Sequence, residues 1–213
     1  MPESAEGQPK FEPRILPDSP LYFFKTAWRE TKAFFTLDLE KDAKLRLQYA
    51  NEKILEANLL TDRGKADRAA QHLTSYEREL EKVNQFTDRL EERNAEAAQK
   101  IAKRAVKNQL KHQILIGKVE RKVSPEGISN VKAARAQTIA EIAKTIEQLP
   151  DSKNMEMLLT AGLRHDGSPF RSLRNLEVLK QVEEKVPPEA KEAITHAEEN
   201  AVKRFKSQLE NLP

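Results

Sequence analysis

The side chains in this chain that could do acid–base or metal chemistry are His72, His112, His165 and His196 together with 34 carboxylates, and no cysteine stands beside them. Without cysteine there are no disulfides, thiolate nucleophiles, iron–sulfur clusters or cysteine-type zinc sites. The histidines are scattered. No two have the i, i+4 spacing that puts a pair of imidazoles on one helix face around a glutamate. His165 and Asp166, in the loop Arg164-His165-Asp166-Gly167-Ser168-Pro169, come nearest to a reactive pair, but no nucleophile or second ligand accompanies them. The Glu-x-x-His pairs of di-iron bundles and a glycine-rich phosphate loop are also missing. The chain therefore reads as non-enzymatic, with no metal or cofactor. Its histidines and acidic clusters (Glu77, Glu79, Glu81; Glu91, Glu92) are expected on solvated helix faces.

A charge bias survives this filter. Between Lys100 and Lys122 there are eight Lys or Arg residues against one acid, Glu120, a net of +7 over 23 residues. Lys100, Arg104, Lys107, Lys111, Lys118 and Lys122 lie close to one face at helical spacing. The plainer reading is a solvated face neutralised by acids on neighbouring helices; the sharper one is a contact for an anionic polymer or surface. Nucleic acid is the poorer partner, because no aromatic side chains are interleaved with the charges for bases to stack on. The net charge of the whole chain, +3, is too small to imply one either.

The elements that position these residues are helices. Hydrophobic residues make up 38% and charged residues 33% with only six glycines, and alternating β-branched runs are missing, so the expected class is all-α. Residues 1–16 are polar and proline-rich and read as a disordered arm. Ser19-Pro20 opens a helix whose apolar stripe includes Phe24, Trp28 and Phe35, a core face or else a docking face. Asp38 caps the next helix, in which Ala43, Leu47, Ala50, Ile54 and Ala57 form a coiled-coil-like seam. After the turn Thr61-Asp62-Arg63-Gly64, three-four spacing from Ala66 to Leu90 and unbroken helical character to about Val123 predict one very long helix, straight or kinked near Asn94 where the seam turns polar. Ser124-Pro125 signals a further helix ending at Pro150, residues 151–171 look irregular, and helices over about 172–186 and 188–209 follow. The whole is an elongated helical bundle, divided as residues 17–123 and 124–213 or continuous. Val119 to Glu126 echoes Val182 to Glu189 at an offset of 63 residues, a candidate internal repeat.

The segment Leu16-Pro17-Asp18-Ser19-Pro20-Leu21-Tyr22-Phe23-Phe24-Lys25, followed by Trp28-Arg29-Glu30 and by Phe35-Thr36-Leu37-Asp38-Leu39-Glu40-Lys41, resembles the opening of a bacterial family catalogued only as a domain of unknown function. Leu45 to Leu59, His112 to Glu126 and Leu176 to Ala197 resemble it too. Members of that family look secreted or envelope-anchored, with a leader or membrane segment upstream, so the resemblance implies an extracytoplasmic place; it supplies no catalytic or metal-binding residue. These residues themselves hold no run approaching the roughly 18 apolar positions of a membrane span.

Two functions are carried forward. One is a non-enzymatic interaction, scaffold or chaperone-like protein of the cell envelope, working through protein or anionic cell-wall polymer contacts. The other is a cytoplasmic adaptor or nucleic-acid-associated helical protein using the basic stripe 100–122. If the stripe of Phe24, Trp28 and Phe35 is core, Trp28→Ala should lower unfolding stability by about 3–5 kcal/mol through the cavity it leaves. A loss under about 1 kcal/mol in urea titration would mark that stripe as an exposed docking surface.

Overall fold

The computed structural model describes residues 17, 19, 22, 38–147, 152–162 and 169–210, which form seven helices and no strand. They are α1 (Leu39–Asp62), α2 (Ala66–Glu91), α3 (Ala95–Glu120), α4 (Ile128–Glu147), α5 (Ser152–Gly162), α6 (Pro169–Glu183) and α7 (Pro188–Glu210). The all-α expectation is met. The proline-rich arm, the stripe of Phe24, Trp28 and Phe35, and the His165–Asp166 pair lie outside the described residues.

Helix α1 starts where its cap predicts, with Asp38 Oδ1 accepting from the backbone N–H groups of Glu40 and Lys41 at 3.0 and 3.2 Å. It stops at Gly64, the one described residue with positive φ (73°), where Lys65 N–H returns to the Leu60 carbonyl at 2.9 Å. The seam residues Ala43, Leu47, Ala50, Ile54 and Ala57 are all buried, and so are Ala69, Leu73, Tyr76, Leu80 and Val83 on α2.

The single long helix predicted from Ala66 to about Val123 is two helices folded back on each other at Glu92, Arg93 and Asn94. Arg93 and Asn94 N–H groups close on the Leu90 carbonyl at 3.0 and 2.7 Å, and Asn94 Oδ1 then caps α3 by accepting from Ala97 N–H at 3.0 Å. The reversal has a packing cause. A continuous rod would leave Ala98, Ile101 and Ala105 in water, whereas folding back seats them in one cluster with Leu39, Ala43, Leu47, Val83 and Leu90. Neither Gly nor Pro marks the turn, which is why helical periodicity ran straight through it.

Two other boundaries differ. Ser124-Pro125 does not open α4, which begins at Ile128. Ser124 N–H donates to Asp67 Oδ1 at 3.0 Å, and Gly127 N–H closes a turn on the Ser124 carbonyl at 3.1 Å. That turn sits so close to α2 that a Cβ on Gly127 would fall 2.9 Å from Asp67 Oδ1. Residues 151–171, read as irregular, contain the eleven-residue helix α5, whose Met155 and Leu159 are buried against the rest.

Helices α1 to α4 run up, down, up, down. Asn108 and Lys118 of α3 meet Asn51 and Asp62 of α1, rising together in number, so those two helices are parallel. Asn84 with Glu141 and Asp88 with Lys144 align α2 and α4 in the same way. Helices α5, α6 and α7 cover the other side of α3 and α4.

Three buried clusters result, and α3 enters all of them: Ala98, Ile101 and Ala105 in one, Ile116 and Val119 in the second, Val106 and Leu110 in the third. In the 63-residue echo, Val119 and Val182 are both fully buried, as are Val131 and Ile194, although α7 begins at Pro188 and α4 only at Ile128.

Because the α2–α3 reversal rests on a side-chain cap, Asn94→Ala should cost about 1 kcal/mol in chemical denaturation, while Asn94→Asp or Asn94→Ser should leave stability nearly unchanged. Equal loss in all three variants would show that the cap does not hold the turn.

Candidate functional site

The ionisable side chains divide into a buried set and an exposed row. The buried set lies on α1 and α2. Glu56 is fully buried and its Oε2 accepts from the Tyr22 hydroxyl at 2.7 Å, while His72 Nε2 stands 2.9 Å from the same oxygen and Lys53 Nζ 3.5 Å from it. Lys53 also donates to the Tyr22 hydroxyl and lies over its ring. One turn or more away, Arg46 Nη1 pairs with Glu79 Oε2 at 3.2 Å, both side chains under a tenth exposed. Charges taken out of water persist only when paired or hydrogen-bonded, and this seam satisfies that condition.

A second buried polar pair lies deeper. Tyr76 is fully enclosed, its hydroxyl 3.0 Å from His112 Nδ1, with the rings edge to face at 5.4 Å. Burial, with a smaller contribution from the Lys111 charge, lowers the His112 pKa to about 3, and burial raises that of the Tyr76 phenol above its ordinary value. The imidazole is therefore neutral, and its tautomer sets which of the two groups donates the bond between them.

These pairs correct the sequence reading of the histidines and acids. His72 and His112 are buried, and Glu79 is an inter-helix partner instead of a solvated neighbour of Lys82 alone. The signal was present but ambiguous: Asp42, Arg46, Tyr49, Lys53 and Glu56 recur at helical spacing on α1, a pattern that usually marks a wet face. Only His196 among the described histidines is half-exposed, beside Glu156 at 3.3 Å.

The exposed row is on α3. Of residues 97–120 only three are exposed, and all three are cations: Lys100, Arg104 and Lys107. Lys111 continues the row half-buried, its ammonium pKa lowered by burial and then by the Lys107 charge one turn away. None of the four makes an ion pair among the described residues. The flanking helix α1 meets this side of α3 with an amide, Asn51, whose Oδ1 accepts from Asn108 at 3.2 Å. Among the described residues an ion-pairing carboxylate for these six cations appears only at Lys118, bound to Asp62 at 2.6 Å and to Asn58 at 3.0 Å. Lys122 lies past the end of α3 and is exposed. The structure thus brings four of the six sequence-selected cations into one line and separates the other two.

No helix among the described residues is long and apolar enough to cross a membrane, and no group of three or more metal-ligating side chains occurs among them. A cavity between α2, α3 and α4, lined by Asn84, Thr87, Asp88 and Lys144, measures about 20 Å³, room for one water.

Fold and site define a class: a helical bundle around one central helix whose exposed residues between 97 and 120 are all basic. Residues 14–212 match the model of a family described as a domain of unknown function, DUF5667, and the chain belongs to that family. No curated protein and no solved structure matches it.

The buried His112 has a pH consequence. Its pKa falls from the ordinary 6.5 in the unfolded chain to about 3 in the fold, so below pH 6.5 the unfolded state binds a proton that the folded state refuses. Stability should therefore fall as pH drops from about 6.5 towards 3, by roughly 1 kcal/mol per pH unit. Denaturation midpoints measured between pH 7 and 5 should show this slope, and His112→Gln should remove about one proton of it. An unchanged slope in the variant would mean His112 is protonated in the fold.

Proposed function

We propose that this protein is a non-enzymatic interaction scaffold that holds an anionic partner on the row Lys100, Arg104, Lys107 and Lys111. One observation carries this reading: between residues 97 and 120 the only exposed side chains of α3 are three cations, and none of them has an ion-pair partner among the described residues. Adjacent like charges at i, i+3 and i, i+4 cost a few tenths of a kcal/mol each. A partner that neutralises them recovers that energy and releases the partner's own counterions. The buried ionic seam has no comparable opening, since Glu56 and Glu79 are already paired. An extracytoplasmic setting, implied by the family resemblance, would supply anionic polymers as partners; a cytoplasmic adaptor remains the competing assignment, and a leader encoded upstream of the gene segment would exclude it.

The test is binding of a fluorescent polyanion, polyglutamate, across a salt series. Four contacts to a flexible polyanion predict an affinity that drops about 50-fold between 50 and 200 mM salt. Replacing Lys100, Arg104, Lys107 and Lys111 by Gln should abolish binding while raising stability by about 1 kcal/mol, because three repulsive neighbours are removed. No binding at low salt, or a loss of stability in the fourfold variant, would mean that the row is neutralised within the protein and is not a contact surface.

A further inference from the structure

The geometry of the row goes beyond its sign. Its four cations sit at i, i+4, i+7 and i+11, which at 1.5 Å per residue gives axial steps of about 6, 4.5 and 6 Å and a total length of about 16 Å. Beside it on α3 stands Lys103, half-buried and donating to Gln99 Oε1 at 3.4 Å. Towards α1 the surface is amide, with Asn51 and Asn108 bonded to each other, and the next cation along α3, Lys118, is held by Asp62. Within Ala95–Glu120 there is no Phe, Tyr or Trp. We infer that the row binds a single linear phosphodiester chain carrying one phosphate about every helical turn, through its phosphates alone and over four of them.

This rests on the row being the contact surface at all, and deepens that reading in three respects. A one-dimensional array matches one strand; a lipid surface or a duplex presents a two-dimensional field of charge, which a single line of four cations addresses poorly. Three of the four cations are lysines, compact and hydrated point charges on flexible stems, suited to successive phosphates without a fixed bidentate geometry. Helix α3 itself offers no aromatic platform on which bases could stack. Neutralising the row also relieves the mutual repulsion of Lys107 and Lys111, whose proximity already costs the free protein.

Base-free oligomers of abasic deoxyribose phosphodiester, with two, four and eight phosphates, provide the probe, titrated against the full chain at low salt. Affinity should rise about tenfold or more from two to four phosphates, as two further cation contacts form. From four to eight it should rise only a few-fold, from the added binding registers. Thymidine oligomers of equal length should bind within a few-fold of the base-free ones, and vesicles of phosphatidylglycerol should bind more weakly than the four-phosphate chain. Lys107→Gln interrupts the row at an exposed position and should lower four-phosphate affinity about tenfold without lowering the melting temperature, whereas Lys132→Gln on α4 should change neither.

Thymidine chains binding more than tenfold tighter than base-free ones would make the surface a nucleic-acid reader and overturn the inference. Continued tenfold gains from four to eight phosphates, or vesicles binding as tightly, would overturn it equally. If polyglutamate binds and no phosphodiester does, the scaffold reading stands and this one falls. If neither binds, both fall.

Discussion

The constraint on which this structure depends is that one helix has to be buried on nearly all sides. Helix α3 supplies Ala98, Ile101 and Ala105 to one cluster, Ile116 and Val119 to a second and Val106 and Leu110 to a third. A surface helix needs an apolar stripe only about 100° wide; α3 needs several, and its polar residues must fit between them. Small residues make that possible. Gly117 lets the Arg174 guanidinium lie against the helix backbone, where an added Cβ would stand 2.4 Å from Nη1, and Gly162 of α5 approaches Leu110 just as closely. Arg174 and Arg135 then converge on Glu120, tying α3, α4 and α6 together at one end.

A second consequence of close wrapping is the ionic seam of α1. That helix buries an apolar stripe against α2 and α3 and, on another side, Arg46, Lys53 and Glu56. Buried charges add little net stability over apolar side chains of the same volume, but breaking one pair leaves an uncompensated charge and costs several kcal/mol. The seam therefore fixes which surfaces meet more than it adds to the strength of their meeting. Tyr22, from the opening motif, is bound into it through Glu56 and Lys53, so that residue joins the fold at a buried charged contact.

Against that background the row on α3 is the exception. Elsewhere the bundle pairs its charges across helices, as with Arg46 and Glu79, Lys118 and Asp62, or Arg135 and Glu120. Along Lys100, Arg104, Lys107 and Lys111 it leaves like charges side by side. A local electrostatic cost with no compensating ion pair among the described residues is the kind of inconsistency that functional surfaces carry. On this ground the row is proposed as the place where the protein meets something else.

The sequence by itself determined what periodicity and composition can encode: an all-α chain, the α1 cap at Asp38, the buried seam from Ala43 to Ala57, the absence of cysteine chemistry, and a basic bias between residues 100 and 122. It marked Asn94 as a possible kink but did not reveal a full reversal there, because Glu92, Arg93 and Asn94 include neither Gly nor Pro to stop a helix. Nor did it reveal that His72, His112 and Glu79 are inside, because a helical stripe of charges looks the same whether water or another helix faces it. Only tertiary structure decided those points, since burial depends on which surfaces are brought together and not on spacing along one helix. The same cause split the six cations: all share a face in projection, but Asp62 at the end of α1 reaches Lys118, while Asn51 in the middle leaves its neighbours on α3 charged and open.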